Sequence, residues 1–201
     1  MNWNKHYQLK DKHSFLSASQ WHWINYDNDK LIKRYDTYEA AQLGTELHAL
    51  AAKCIELGVP LKNTKETLGL YVNDAIKFKM KPETILYYSD NAFGTADAIS
   101  FRRNPKTGRD MLRIHDLKTG TVPAHMEQLM VYAAYFCLEY GYQPRNIDIE
   151  LRIYQNDKVL VHNAASTFDE EDEITGYDMI EMIIKKIIEF DSLINERKME
   201  V

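Results

Sequence analysis

An α/β fold, with a mixed central sheet covered by helices on both faces and a long C-terminal helix, follows from three features of the sequence. Apolar residues recur at helical spacing over much of the first 80 positions. Between 84 and 162, short runs rich in Ile, Leu, Phe and Tyr read as strands, with one helical stretch among them. Helical spacing then returns in an acidic C-terminal segment. The 201 residues suit one domain of the usual ~100–200 residues, and no domain boundary is expected within 1–201. The core is expected over about 15–165 and the acidic helix over about 167–198.

Taken in order, residues 15–26, FLSASQWHWINY, predict a short helix capped by Ser17 or Ser19. Leu43, Leu47, Leu50 and Cys54 line one face of a helix over 38–57, which Gly58-Val59-Pro60 stops. A second amphipathic helix is expected over 64–79. Strands follow at 84–88, 94–102 and 111–118, the last two joined by a turn at Asn104-Pro105-Lys106-Thr107-Gly108. A helix over 124–140 ends at Gly141, with Pro144 beyond it. Two more strands, 146–154 and 158–162, meet through a turn at Asp157-Lys158. The final helix is expected from Asp169 to Arg197, with Thr167 and Glu170 as its capping box and Ile180, Ile184 and Ile187 as its apolar stripe.

Composition narrows the class. Hydrophobic residues at 45% and charged residues at 27% are those of an ordinary globular chain, and eight Gly with five Pro argue against disorder. No apolar run approaches the ~20 residues that cross a bilayer. The opening MNWNKHYQLKDKHSF lacks the apolar core of a secretory signal. Cys54 and Cys137 form no C-x-x-C pair, so neither a disulfide framework nor a thiolate metal site is expected. These features predict a soluble cytoplasmic protein with no membrane partner.

The net charge of −5 is unevenly spread. Residues 166–201 hold eleven acids against four bases, a local −7 that leaves +2 for residues 1–165. Within 101–125, Arg102, Arg103, Lys106, Arg109, Arg113 and Lys118 face only Asp110 and Asp116. A basic hairpin of this kind is compatible with a phosphate backbone, and equally with a merely solvated surface.

Chemistry concentrates in the middle of the chain. In a strand, side chains at i and i+2 share a face, so Asp116 and Lys118 project together while Leu117 faces the core. Asp97, in Gly94-Thr95-Ala96-Asp97 on the preceding strand, reaches the same edge. Two carboxylates and a lysine suit a hard divalent cation such as Mg²⁺ together with one fixed positive charge. Lys118 would orient or deprotonate a water, or stabilise the oxyanion. The triplet Glu196-Arg197-Lys198 has the same spacing but no upstream acid, and reads as chance. His48, in Gly44-Thr45-Glu46-Leu47-His48, sits at the edge of the core-facing side, as a ligand suiting Mn²⁺ or as an ordinary helix histidine. Gln128 and Tyr132, four apart on one helical face, suit a phosphate or a base. Trp21, Trp23 and Tyr26 suit stacking on unpaired bases, although the core is the favoured place for them.

In this order, GTELH (44–48), GTAD (94–97), DLK (116–118) and QLMVY (128–132) resemble the PD-(D/E)XK nuclease superfamily. The likeness is to its RecB-like branch, which includes CRISPR-adaptation nucleases and many phage exonucleases. FLSASQWHW (15–23) is similar to the serine-containing opening of that branch, and the resemblance spans about residues 15–154. It implies a restriction-endonuclease-like sheet and a DNA nuclease dependent on Mg²⁺ or Mn²⁺. His48, Asp97, Asp116 and the Leu117 carbonyl would hold the metal. Lys118 would be the catalytic lysine beside Asp97 and Asp116, and Gln128 and Tyr132 would lie beside the scissile phosphate. Arg102 and Arg103 are further substrate-binding candidates.

Two departures stand out: Asp116 replaces the Glu of many relatives, and the four cysteines of iron–sulfur members are absent, so no cluster is expected. Glu83 is weighed as an auxiliary acid against a strand-start surface residue, and the latter is favoured. The leading expectation is an exonuclease of phage or bacterial recombination or end processing. DNA is its expected partner, with a recombination or single-strand-annealing protein as a second. A structure- or site-specific endonuclease and a non-catalytic binding module on the same fold stay open.

Overall fold

A computed structural model of the protein describes residues 4–10, 14–169, 171 and 173–199. The chain divides into two compact units, 1–45 and 46–201, and helix α1 (Asn28–Leu57) runs through the division.

In the first unit, the helix expected over 15–26 is instead 3-10 structure at Ala18–Asn25, kinked at Gln20. Ser17 stands at its start without capping it, its hydroxyl lying 2.6 Å from that of Ser19. α1 begins ten residues before the expected position because Asp27 caps it, its Oδ1 accepting the Lys30 N–H at 2.8 Å.

The second unit is a mixed α/β structure. Its sheet has the order β1 (Lys81–Ser89), β2 (Ala92–Arg103), β3 (Asp110–Leu117), β4 (Asp148–Gln155) and β5 (Lys158–Asn163). All neighbours are antiparallel except β3 and β4, which run parallel and are joined through helix α3 (Glu127–Tyr140). Each strand falls within three residues of its expected bounds.

Helices flank both faces. On one, α3 and the C-terminal helix α4 (Gly176–Met199) cover a core that includes Leu112, Ile114, Leu129, Met130, Leu151 and Ile180. Ile184 and Ile187 pack against it, as the stripe predicts. On the other face, Ala51 and Ile55 of α1 join Tyr71 and Val72 of α2 (Thr67–Lys77) over Ala98, Leu117 and Tyr154. Leu43 and Leu50, expected in the core, are exposed. The inward face of α1 is turned toward His48, Ala51 and Ile55, because the small Ala51 lets the helix approach closely.

Turns pin these layers. Asn156 and Asp157 both take left-handed φ, of 51° and 58°, as a tight two-residue hairpin requires, so the β4–β5 turn sits one residue earlier than expected. The Asp157 carboxylate accepts the N–H of Thr67 at 2.8 Å, and Thr67 Oγ1 accepts the Asp157 N–H at 2.7 Å, fastening α2 to that turn.

The region before α4 departs from expectation. Thr167 lies in a strand, β6 (Thr167–Asp169), paired with β7 (Ile174–Thr175), and Glu170 falls outside the described residues. The capping box of α4 is instead Thr175 with Asp178: the Asp178 N–H donates to Thr175 Oγ1 at 3.2 Å, and the Thr175 N–H to Asp178 Oδ2 at 2.9 Å. Of the acidic run, Asp169 lies in β6 and Glu171 and Glu173 lie in turns before β7, rather than in a helix, where like charges one turn apart repel. Among the described residues, no helix is long and apolar enough to cross a membrane.

Candidate metal and phosphate site

Five elements, α1, β1, β2, β3 and α3, contribute side chains where β1, β2 and β3 lie side by side. The β1–β2 register pairs Pro82 with Ala98 and Thr84 with Ala96, which sets Glu83 across from Asp97. Glu83 has φ +46°, a conformation that a non-glycine residue adopts at a cost. Ala96 packs in the α3-side core and Ala98 in the α2-side core, so the alternation of faces slips at this rung. His48, on α1, brings Nδ1 to 3.4 Å from Asp97 Oδ2, and the same oxygen accepts the Leu117 N–H at 2.9 Å. Ligand atoms of His48, Glu83 and Asp97 all lie within 4.8 Å of one another.

Beside this triplet, β3 ends in Asp116, Leu117 and then Lys118. Asp116 is buried and Leu117 turns into the α2-side core. The Lys118 ammonium donates to Asp116 Oδ1 at 3.2 Å and lies 3.0 Å from Oδ2, to which no hydrogen bond forms. It also donates to Gln128 Oε1 at 2.8 Å, and Gln128 Nε2 reaches Tyr132 Oη at 3.4 Å. Gly94 explains its own place in the sequence: a Cβ there would lie 3.0 Å from Tyr132 Cε1, so only glycine admits the tyrosine unshifted.

Electrostatics mark the same groups. Burial lifts the Asp116 carboxyl to about 6, the Asp97 charge adds to the rise, and Lys118 and His48 oppose it. His48 is raised chiefly by its hydrogen bond to Asp97, with the charges of Asp97, Asp116 and Glu83 adding and burial opposing. Glu83 is raised by burial and by Asp97. Carboxyls raised first by burial and then by a neighbouring negative charge are short of compensating positive charge.

The structure thus brings together His48, Asp97, Asp116, Lys118, Gln128 and Tyr132, as well as the Leu117 main chain. It adds Glu83, which sequence reasoning left at a strand-start surface. The signal for Glu83 was its register opposite Asp97, legible only once β1 and β2 are aligned. Asp116 stands beside the ligand triplet, engaged by Lys118.

Arg102 and Arg103 are not part of the constellation. They lie five and six residues along β2 from Asp97, about 17–20 Å at ordinary strand rise. Arg103 lies 3.8 Å from Asp110, Arg109 3.6 Å from Asp148, and Arg113 3.0 Å from Glu150. The basic segment is therefore largely paired internally. On the opposite face of β3, buried His115 shares its Nδ1 with Tyr154 Oη at 3.1 Å, and burial beside Arg152 and Arg113 holds it well below the usual histidine range.

Compared with protein-family models, with curated proteins and with solved structures, the chain has no match.

Proposed function

We propose that this protein is a divalent-metal-dependent DNA nuclease of the PD-(D/E)XK kind, on a restriction-endonuclease-like core, acting as an exonuclease in phage or bacterial DNA processing. One observation carries the reading: the His48–Glu83–Asp97 triplet, within 4.8 Å, adjoins a buried carboxylate paired to a lysine at the end of the neighbouring strand. The donor set of one imidazole and two carboxylates fits Mg²⁺ or Mn²⁺, the imidazole favouring Mn²⁺. Two like charges directly opposite in a ladder, one on a strained main chain, also fit a cluster built around a cation. A divalent ion bound there would acidify a water and offset charge on the phosphate.

The chain's own groups do the rest. An ammonium has three donors. Lys118 gives one to Asp116 and one to Gln128, which leaves the third for an oxygen of the scissile phosphate or its attacking water. Asp116 holds that ammonium in place, and its accessible pKa near 6 lets it take up a proton from the same region. Gln128 and Tyr132, linked on α3, line the approach and orient the phosphate.

A time course on end-labelled linear and closed-circular DNA, with Mg²⁺ and with Mn²⁺, tests the proposal. Degradation of the linear form alone identifies an exonuclease; nicking of the circle identifies an endonuclease. Cleavage retained in both Asp116→Ala and Lys118→Ala would remove the site. The internal pairing of Arg103, Arg109 and Arg113 leaves fewer free cations for a phosphate backbone and favours a second reading, a non-catalytic nucleic-acid-binding or protein-interaction module, which no Mn²⁺ binding and no cleavage of either DNA would support.

A further inference from the structure

We propose that the N-terminal unit carries a stacking cleft for a nucleobase of an unpaired nucleic-acid strand. All three tryptophans of the chain lie within its first 23 residues, and one of them, Trp23, lines the cleft. It has a volume of about 560 Å³, and its lining residues all fall between Phe15 and Ala41. Its walls are the rings of Phe15, Trp23, Tyr26 and Tyr38, with Gln20 and Arg34 among its polar groups.

These rings are held in position. Phe15 packs edge-on against Tyr35, with centroids 5.1 Å apart, and against Tyr38 at 5.5 Å. The Trp23 indole N–H donates to the Ser17 carbonyl at 3.1 Å. Arg34 donates to Tyr26 Oη at 3.0 Å, and the Lys30 ammonium lies 4.1 Å from the Tyr26 ring centroid. Rings anchored by their neighbours and still facing a cleft present π surface without an ordering cost, which is how single strands are bound irrespective of sequence.

Charge selects the occupant. None of the described residues lining the cleft is acidic, whereas Arg34 lines it and Lys30 stands over the adjoining ring. Cations at the edge of an aromatic wall suit the phosphates that join successive bases. A proline-rich peptide also docks on aromatic grooves but has no use for the cations. Duplex DNA offers no free base face, so the cleft prefers single strands or frayed ends. The Gln20 amide, at the kink in the 3-10 segment, supplies a donor and an acceptor for a base edge.

This inference does not depend on the nuclease reading, and its test is run in chelator so that cleavage plays no part. Tryptophan fluorescence of the full chain is titrated with an oligothymidylate of about ten nucleotides, a length within the range single-strand sites span. The same titration is made with a blunt duplex of equal length and with a polyproline peptide.

Saturable quenching by the single strand, and weaker by at least about five-fold with the duplex, is expected. Tyr26→Leu should weaken single-strand binding by at least about five-fold. Arg34→Gln should lower the slope of log affinity against log salt by about 0.7, one phosphate contact. Circular dichroism verifies folding, and should Tyr26→Leu lose structure, the Arg34→Gln slope decides. No quenching, equal affinity for the duplex, tighter binding of the peptide, or an unchanged salt slope would overturn the cleft. Each leaves the His48–Glu83–Asp97 cluster to be judged on its own.

Discussion

Glu83 faces Asp97 across the β1–β2 ladder, and the His48 imidazole has a nitrogen within 4.8 Å of both carboxylates. Without a cation this arrangement is self-repelling. Glu83→Gln should therefore stabilise the metal-free protein by about 0.2–1 kcal/mol, the usual size of a cross-strand charge effect. The same substitution should remove most of the stabilisation that Mn²⁺ confers on the parent chain. Thermal melts of both proteins, with chelator and with Mn²⁺, read the two effects together, and an Mn²⁺ shift undiminished in the variant would exclude Glu83 as a ligand.

Protonation gives a second handle. The folded Asp116 carboxyl sits at about 6, above the 3.8 of an ordinary aspartate, so between those values the folded chain holds a proton that the unfolded chain does not. Stability of the metal-free protein must fall as pH rises through that window and then level off. His48 is raised as well: its contribution is full below the ordinary histidine range and is lost as pH climbs through the raised value. Cation binding runs the other way, because it requires the ionised carboxylate and the neutral imidazole. The gap in melting temperature between Mn²⁺ and chelator should widen from pH about 5 to about 8. Asp116→Asn should flatten the portion near pH about 6; an unchanged profile would refute the assignment.

Lys118 and Gln128 form a single unit, 2.8 Å apart. Lys118→Met should lower cleavage by about 10²–10⁴-fold while leaving Mn²⁺ binding in place. Gln128→Leu should cost about ten-fold in the parent and little further in the Lys118→Met chain, since groups acting through one another are not additive. Full additivity in single-turnover rates would separate the two roles.

Gly69 offers a test of the scaffold alone. A Cβ on this residue of α2 would lie 1.6 Å from the Asn63 carbonyl oxygen, a main-chain atom that cannot swing aside. Gly69→Ala should destabilise the fold by about 3 kcal/mol, at the upper end of overpacking effects. Denaturant titration measures it, and a loss under about 1 kcal/mol would show that the loop before α2 yields easily.

Much of this architecture was legible from local pattern. Strand and helix types from 64 to 163 follow from β-branched and aromatic runs, from helical spacing and from Gly141, whose φ of +71° ends α3. Asp116 and Lys118 were legible from their i, i+2 spacing at the end of a strand, and Asp97 from its place on the strand before, together with the order of the four motifs. Glu83 was not, since a residue's cross-strand neighbour depends on register and its own left-handed φ has no sequence signature. The inward face of α1 was misread for a related reason: Leu50 carries more hydrophobicity than Ala51, but close packing favours the smaller side chain. The β6–β7 hairpin was missed because five consecutive acids resemble the start of a helix as much as a turn.

Lys118 leaves β3 with its main-chain N–H bonded to the Tyr154 carbonyl at 2.9 Å, on a strand encoded 36 residues later. A ribosome that has already released the lysine still holds the strand that will anchor it. The ammonium can take its place among the acids only after nearly the whole sheet has emerged, so a half-made chain carries the residues of the candidate site without its assembly. Whatever chemistry the site performs therefore waits on the later part of the chain.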